Sequence, residues 1–144
     1  MKVSEILKAK GNEVSIVRAD LTIGGLATKL NEARVGAMLV MGEGGEIVGI
    51  VSERDIVRAM AELGAGVANR RVGQIMTTAI VSCTPDAKVS DIARTMTNRR
   101  IRHMPVMEGT ALVGIVSIGD VLKSRLDEME LEANVLRDVA IAAR

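Results

Sequence analysis

Residues 48–57 read VGIVSERDIV, and residues 113–122 read VGIVSIGDVL. Six of the ten positions are identical, and the matches include polar residues at one spacing: Gly49, Ser52 and Asp55 in the first stretch, Gly114, Ser117 and Asp120 in the second. An apolar run ending in Ser-x-x-Asp is the pattern of a strand that leads into a helix. The serine hydroxyl serves as N-cap, and the aspartate one turn later sits at the positive end of the helix dipole. Two copies with polar residues in register make an internal repeat, and a repeated polar constellation points to two copies of one binding site.

The match extends outward. Asp20 to Met41 aligns with Asp86 to Met107 at an offset of 66, and the downstream stretch aligns at 65. The lost residue falls where GEGGEI (42–47) faces EGTAL (108–112), in a loop, where a change of length is tolerated. Each copy opens with a short apolar run, Val14–Val17 and Ala79–Ser82, followed by a turn that in the second copy is Thr84-Pro85-Asp86. Ile23, Leu26, Ala27 and Leu30, and likewise Val89, Ile92, Ala93 and Met96, then recur at helical spacing. Two apolar runs joined by a Gly-containing loop follow, 37–41 with 47–51 and 104–107 with 112–118, which predicts a hairpin. Gly42-x-Gly44-Gly45 lies inside the first hairpin, between two strands, and so is a turn and not a dinucleotide fingerprint.

The predicted fold is α+β, a tandem β-α-β-β-α repeat with boundaries at 1–68 and 69–144. Val3–Leu7 and Val72–Met76 look like one-turn lead-in helices, and Gly64 to Arg71 reads as the linker. One copy alone is too small to cover its sheet; two together can build one globule. From Gly119 to about Ala143 there is no Gly or Pro, and Leu122, Leu126, Met129, Ala133, Leu136, Ala140 and Ala143 step by four and three. That 3.5-residue spacing is a coiled-coil seam and predicts a homodimer. A helix lying on its own domain is the other reading of the same pattern.

Composition narrows the function. The net charge of +1 gives no electrostatic footprint for nucleic acid, and the chain has no Phe, Tyr or Trp on which bases could stack. No apolar run is long enough to span a membrane, and MKVSEILKAKG lacks the apolar segment of a signal peptide. With the single Cys83, this predicts a cytoplasmic protein. Cys83 and the single His103 form no metal-ligating set, and no nucleophile–base pair is spaced for catalysis, so neither enzyme nor catalytic cofactor is expected. Cys83 reads as core filler. His103 is either structural or a phosphate contact, since Arg100 and Arg102 stand beside it.

The G-h-x-S-x-x-D motif in each half of a β-α-β-β-α duplication resembles the CBS domain pair, or Bateman module, over about Val3 to Lys123. The stretch IRHMPV (101–106) resembles that family's strand ending in hydrophobic-Pro. The resemblance implies one pseudo-twofold globule with two clefts for adenosine ligands such as AMP, ADP, ATP, S-adenosylmethionine or NAD. It implies that Asp55 and Asp120 hold ribose hydroxyls and that Ser52 and Ser117 lie near ribose or phosphate. It also implies that backbone at Val17–Asp20 and Ser82–Asp86, with Met38–Leu39 and Met104–Pro105, frames the base.

The candidate ligand-binding residues are therefore Arg18, Asp20, Met38, Leu39, Ser52, Arg54 and Asp55 in the first copy. In the second they are Ser82, Thr84, Asp86, Arg102, His103, Met104, Pro105, Ser117 and Asp120. The copies differ: Thr84-Pro85 and Arg102-His103 face Arg18-Ala19 and Gly36-Ala37. The second copy is thus expected to hold a phosphorylated adenosine, and the first something longer or less charged, such as NAD, or nothing. The leading reading is an adenine-nucleotide sensor that signals to an effector protein. The alternative is a dimeric interaction scaffold with one or both clefts empty.

Overall fold

The computed structural model describes residues 1–11 and 13–143. It folds as two compact units. One is continuous, Val14–Ile80; the other joins Met1–Glu13 to the chain from Val81 onward.

In the continuous unit, β1 (Ile16–Arg18) leads into α2 (Ile23–Ala33), which follows the N-terminal helix α1 (Val3–Lys10) in chain order. The hairpin β2 (Ala37–Met41) and β3 (Ile47–Ser52) comes next, then α3 (Glu53–Leu63). The sheet order is β1-β2-β3, with β1 parallel to β2 and β2 antiparallel to β3. Val17, Val40 and Val51 of the sheet pack against Ile23, Leu26 and Leu30 of α2, so the apolar spacing read from the sequence is the buried face. Thr22 caps α2 by accepting from the Gly25 amide at 3.1 Å. The segment read as a linker is structured: Gly64–Asn69 is a 3₁₀ helix whose Val67 is buried in the same core. The short helix α4 (Val72–Ile75) closes the unit.

The other unit repeats this plan with α5 (Val89–Arg99), the hairpin β4 (His103–Glu108) and β5 (Ala111–Ser117), and α6 (Ile118–Ala142). Its first strand is reduced to one parallel bridge, Cys83 to Val106. Pro105 explains the loss. In the first copy the Leu39 amide donates to the Ser15 carbonyl at 3.2 Å. Pro105 stands at the equivalent position and has no N–H, so the matching bond to Val81 cannot form. Only the Cys83 bonds remain: its amide donates to the Pro105 carbonyl at 3.0 Å, and its carbonyl accepts from the Met107 amide at 2.8 Å.

The lead-in segments are exchanged between the repeats. The Val72 amide donates to Leu21 at 2.8 Å and the Gly73 amide to Ala19 at 2.9 Å, so the second repeat's lead-in closes the first repeat. The Val3 amide donates to Ala87 and the Ser4 amide to Pro85, each at 2.9 Å, so the first repeat's lead-in closes the second. The motif glycines are where these segments press in. A Cβ on Gly49 would lie 2.7 Å from the Met76 sulfur and 3.0 Å from the Thr77 carbonyl oxygen. A Cβ on Gly114 would lie 2.7 Å from a Leu7 methyl. Close backbone approach is what these glycines provide, and it is the chain itself that approaches.

Candidate functional site

Ser52 and Ser117 both cap as their spacing predicted. Ser52 accepts from the Asp55 amide and Ser117 from the Asp120 amide, at 3.4 and 3.1 Å, and each aspartate returns the bond to its serine's amide at 2.8 Å. These are capping boxes with Asp in the third helical position, and they bring each carboxylate back over its helix N-terminus.

From there the copies diverge. Asp55 is only 5% exposed. Its Oδ2 accepts from the Ser52 amide and from the Ser52 hydroxyl at 3.2 Å, while Oδ1 accepts from Arg58 and from the Thr77 hydroxyl at 3.2 Å. An ionised carboxylate has about four acceptor sites, and here they are filled by the unit itself. Asp120 is partly exposed. Its Oδ2 takes the Ser117 amide and the Lys10 ammonium, the latter at 2.7 Å. Burial opposes ionisation of Asp120, but the bonds from Lys10 and Ser117 and the charge of Lys10 outweigh it and hold the carboxyl below its ordinary value. Lys10 also donates to the Ile115 carbonyl at 3.0 Å.

Other second-copy residues gather at the N-terminus of α6. The Ile118 amide donates to the Arg102 carbonyl at 2.8 Å, and His103 stands opposite Ser117 in the β4–β5 register. The first copy has the same framework, with the Glu53 amide donating to Gly36 at 3.0 Å and Ala37 opposite Ser52, but with Gly36 and Ala37 in place of Arg102 and His103. Arg54 is exposed in the first turn of α3. Met38 and Met104 are buried in the two cores, and Leu39 and Pro105 are buried as well, so at these four positions the backbone is the part available to frame a base. Ser82, Thr84 and Asp86 lie exposed on the segment before α5, and Asp86 pairs with Lys2 at 3.9 Å. Burial pushes the Cys83 thiol up to about 11, which makes it inert filler.

Arg18 and Asp20 come together elsewhere, in an open cleft of about 450 Å³ at the end of β1, lined also by Ile16, Val17, Leu21, Thr22, Lys29 and Arg71. Arg18 pairs with Asp20 at 3.4 Å, and Arg71 donates to the Asp20 carbonyl at 3.0 Å. Ser52, Arg54 and Asp55 are not among its walls. Lys10, Arg58, Arg71 and Thr77 escaped the reading of the sequence because each lies outside the repeated motif; Lys10 and Thr77 reach their aspartates from another element, and Arg58 from the next turn of α3. Lys10 has only one signal, a cation in the last turn of a helix.

The CBS domain model matches twice, over residues 3–62 and 72–127. The chain belongs to the CBS domain family. It is 33% identical over 134 residues to the mitochondrial CBS domain-containing protein CBSX3 of Arabidopsis thaliana, covering 88% of this chain but 65% of that protein. The crystal structure of the CBS-domain containing protein ATU1752 from Agrobacterium tumefaciens superimposes with a TM-score of 0.84 at 39% identity, over 86% of this chain and 92% of that one. The CBS domain pair of protein MJ0100, solved in complex with 5′-methylthioadenosine and S-adenosyl-L-methionine, superimposes with a TM-score of 0.75 at 25% identity, over 90% of this chain and 98% of that one. The two repeats and the long C-terminal helix are those of a CBS domain pair. Among the described residues no helix is long and apolar enough to cross a membrane.

Proposed function

We propose that this chain is a regulatory module without chemistry of its own, and that it binds an adenosine ligand of the AMP, ATP or NAD class through its second repeat. The repeats are taken as residues 1–68 and 69–144, the protein as a homodimer and its compartment as the cytoplasm. The observation that carries the reading is the partly exposed Asp120 carboxylate, next to a helix N-terminus flanked by Arg102 and His103. A ribose hydroxyl donates to the carboxylate, and a phosphate takes the Arg102 guanidinium and the helix amides. Ser82 and Val81 support it further, because the shortened first strand leaves them outside the sheet ladder, where peptide groups are free to read an adenine edge. The first repeat's Asp55 is committed to Ser52, Arg58 and Thr77, so that repeat does not hold a ribose in this way. Binding then favours one arrangement of the protein over another, and an effector reads the difference.

Calorimetry with AMP, ATP, NAD and S-adenosylmethionine tests this directly. Asp120→Ala should weaken the bound ligand by about 100-fold, the loss of one or two charged hydrogen bonds. Asp55→Asn, if folded, should leave that affinity within about threefold, an energy difference below 1 kcal/mol. Equal loss in the two variants, or no binding by any of the four compounds, would overturn the reading.

A further inference from the structure

The helix α6 outruns the unit it belongs to. Val121 and Ser124 are buried on their own unit, and Glu128 is partly covered beside the Met1 amino group; every described residue from Met129 to Ala143 is exposed. An isolated helix of about 15 residues is marginal in water. This one also leaves Leu122 58%, Met129 61% and Leu136 70% exposed, which a helix without a partner has no reason to carry.

We infer that α6 pairs with α6 of a second copy of this chain as a parallel, in-register, two-stranded coiled coil. The inference rests on the homodimer reading above and adds the surface and the direction. The seam is Leu122, Leu126, Met129, Ala133, Leu136 and Ala140, turned about 120° around the helix from the face that Val121 and Ser124 bury, so both contacts are made at once. The flanking charges choose the direction. In the parallel register Arg125 faces Glu130 of the partner subunit and Glu132 faces Arg137 of the partner subunit, and symmetry doubles both attractions. An antiparallel pair of full overlap sets Glu130 against the partner's Glu130, Glu132 against the partner's Glu132 and Lys123 against the partner's Arg137, all repulsive.

Light scattering on the full chain, combined with cysteine cross-linking, tests this. Leu122→Cys and Leu136→Cys replace exposed side chains and leave the fold alone, and the buried Cys83 does not compete. A dimeric mass, with each variant forming a disulfide to its own copy under mild oxidation, is the expected result. A dimer in which neither variant cross-links to itself overturns the parallel seam but leaves the dimer. Cross-linking confined to a mixture of Leu126→Cys and Leu136→Cys does the same and assigns the antiparallel form. A tetramer, drawn together through Leu131, Val135 and Val139 on another face, overturns the two-stranded pairing. A monomer overturns the homodimer reading itself, whatever the calorimetry finds.

Discussion

In the first repeat, Asp55 is buried and both its oxygens are engaged by the unit that carries it; in the second, Asp120 stays partly exposed and accepts from Ser117 and Lys10 on one oxygen. The motifs are the same, so the difference comes from what surrounds them. The first repeat supplies Arg58 from the same helix and Thr77 from the incoming lead-in. The second has Lys123 at the position of Arg58, but the cation that bonds Asp120 is Lys10, brought in by the lead-in. One aspartate has become a structural lock and the other has kept its capacity to accept. A duplicated binding motif is therefore a statement about local backbone, and its use is decided by side chains that lie outside it.

The largest test of that contrast is stability. Asp55→Ala strands the Thr77 hydroxyl and the Ser52 amide at a buried site and should cost about 2–3 kcal/mol by urea denaturation. Asp120→Ala, at a partly exposed site, should cost about 1 kcal/mol, near the value of a helix cap. Similar losses would erase the distinction between lock and acceptor. The motif glycines give a smaller difference. Gly49→Ala drives a methyl against the Thr77 carbonyl as well as the Met76 side chain, whereas Gly114→Ala meets only the flexible end of Leu7. The first should cost about 2 kcal/mol and the second about 1 kcal/mol, because backbone does not yield as a side chain does. An inverted order would mean that the lead-in at Gly49 shifts as a body.

The Lys10 contact gives a pH signature. The folded Asp120 carboxyl lies below its ordinary value, so the stability it adds is fully present at neutral pH and is lost as pH falls through the folded value. The urea midpoint of the native chain should exceed that of Lys10→Met at pH 7, and the two should converge in acid; a gap that stays constant would remove the ion pair as its cause. The smallest effect is at Pro105. Pro105→Ala restores an N–H that should donate to the Val81 carbonyl and itself be protected from amide exchange, with a stability change of about 0.5 kcal/mol or less, typical of one strand hydrogen bond partly offset by chain entropy. If that amide is not protected, something other than the missing donor shortens the first strand.

Much of this was legible in the sequence, for physical reasons that differ by element. The hairpins, the two long helices of each repeat and the serine caps are set by neighbours within a few residues, and having two copies let each confirm the other. The caps at Ser52 and Ser117 were predicted from spacing alone and are formed. The exchange of lead-ins was not legible, because the contact of Leu7 with Gly114 joins positions over a hundred residues apart and leaves no local pattern. Gly64–Asn69 was read as a joint from its glycines, but burial of Val67 winds it into a 3₁₀ helix. The saturation of Asp55 was hidden for the same reason as the partial exposure of Asp120: the partners Thr77 and Lys10 come from segments the motif does not contain. Sequence reasoning located the two carboxylates, but only the packing separated their roles.

The exchanged lead-ins also set an order of assembly. The unit Val14–Ile80 is one unbroken stretch and can close while later residues are still being synthesised. The helix Val3–Lys10 is made before it, yet its docking partner at Gly114 and Asp120 is made only after. The earliest segment of the repeat must therefore wait, unpaired, for nearly the whole chain. Closing such a distant contact is the slow step expected of a high-contact-order fold. The piece that completes the acceptor site is thus the last to arrive, and a nascent chain acquires its Lys10–Asp120 pair only when the second repeat is already in place.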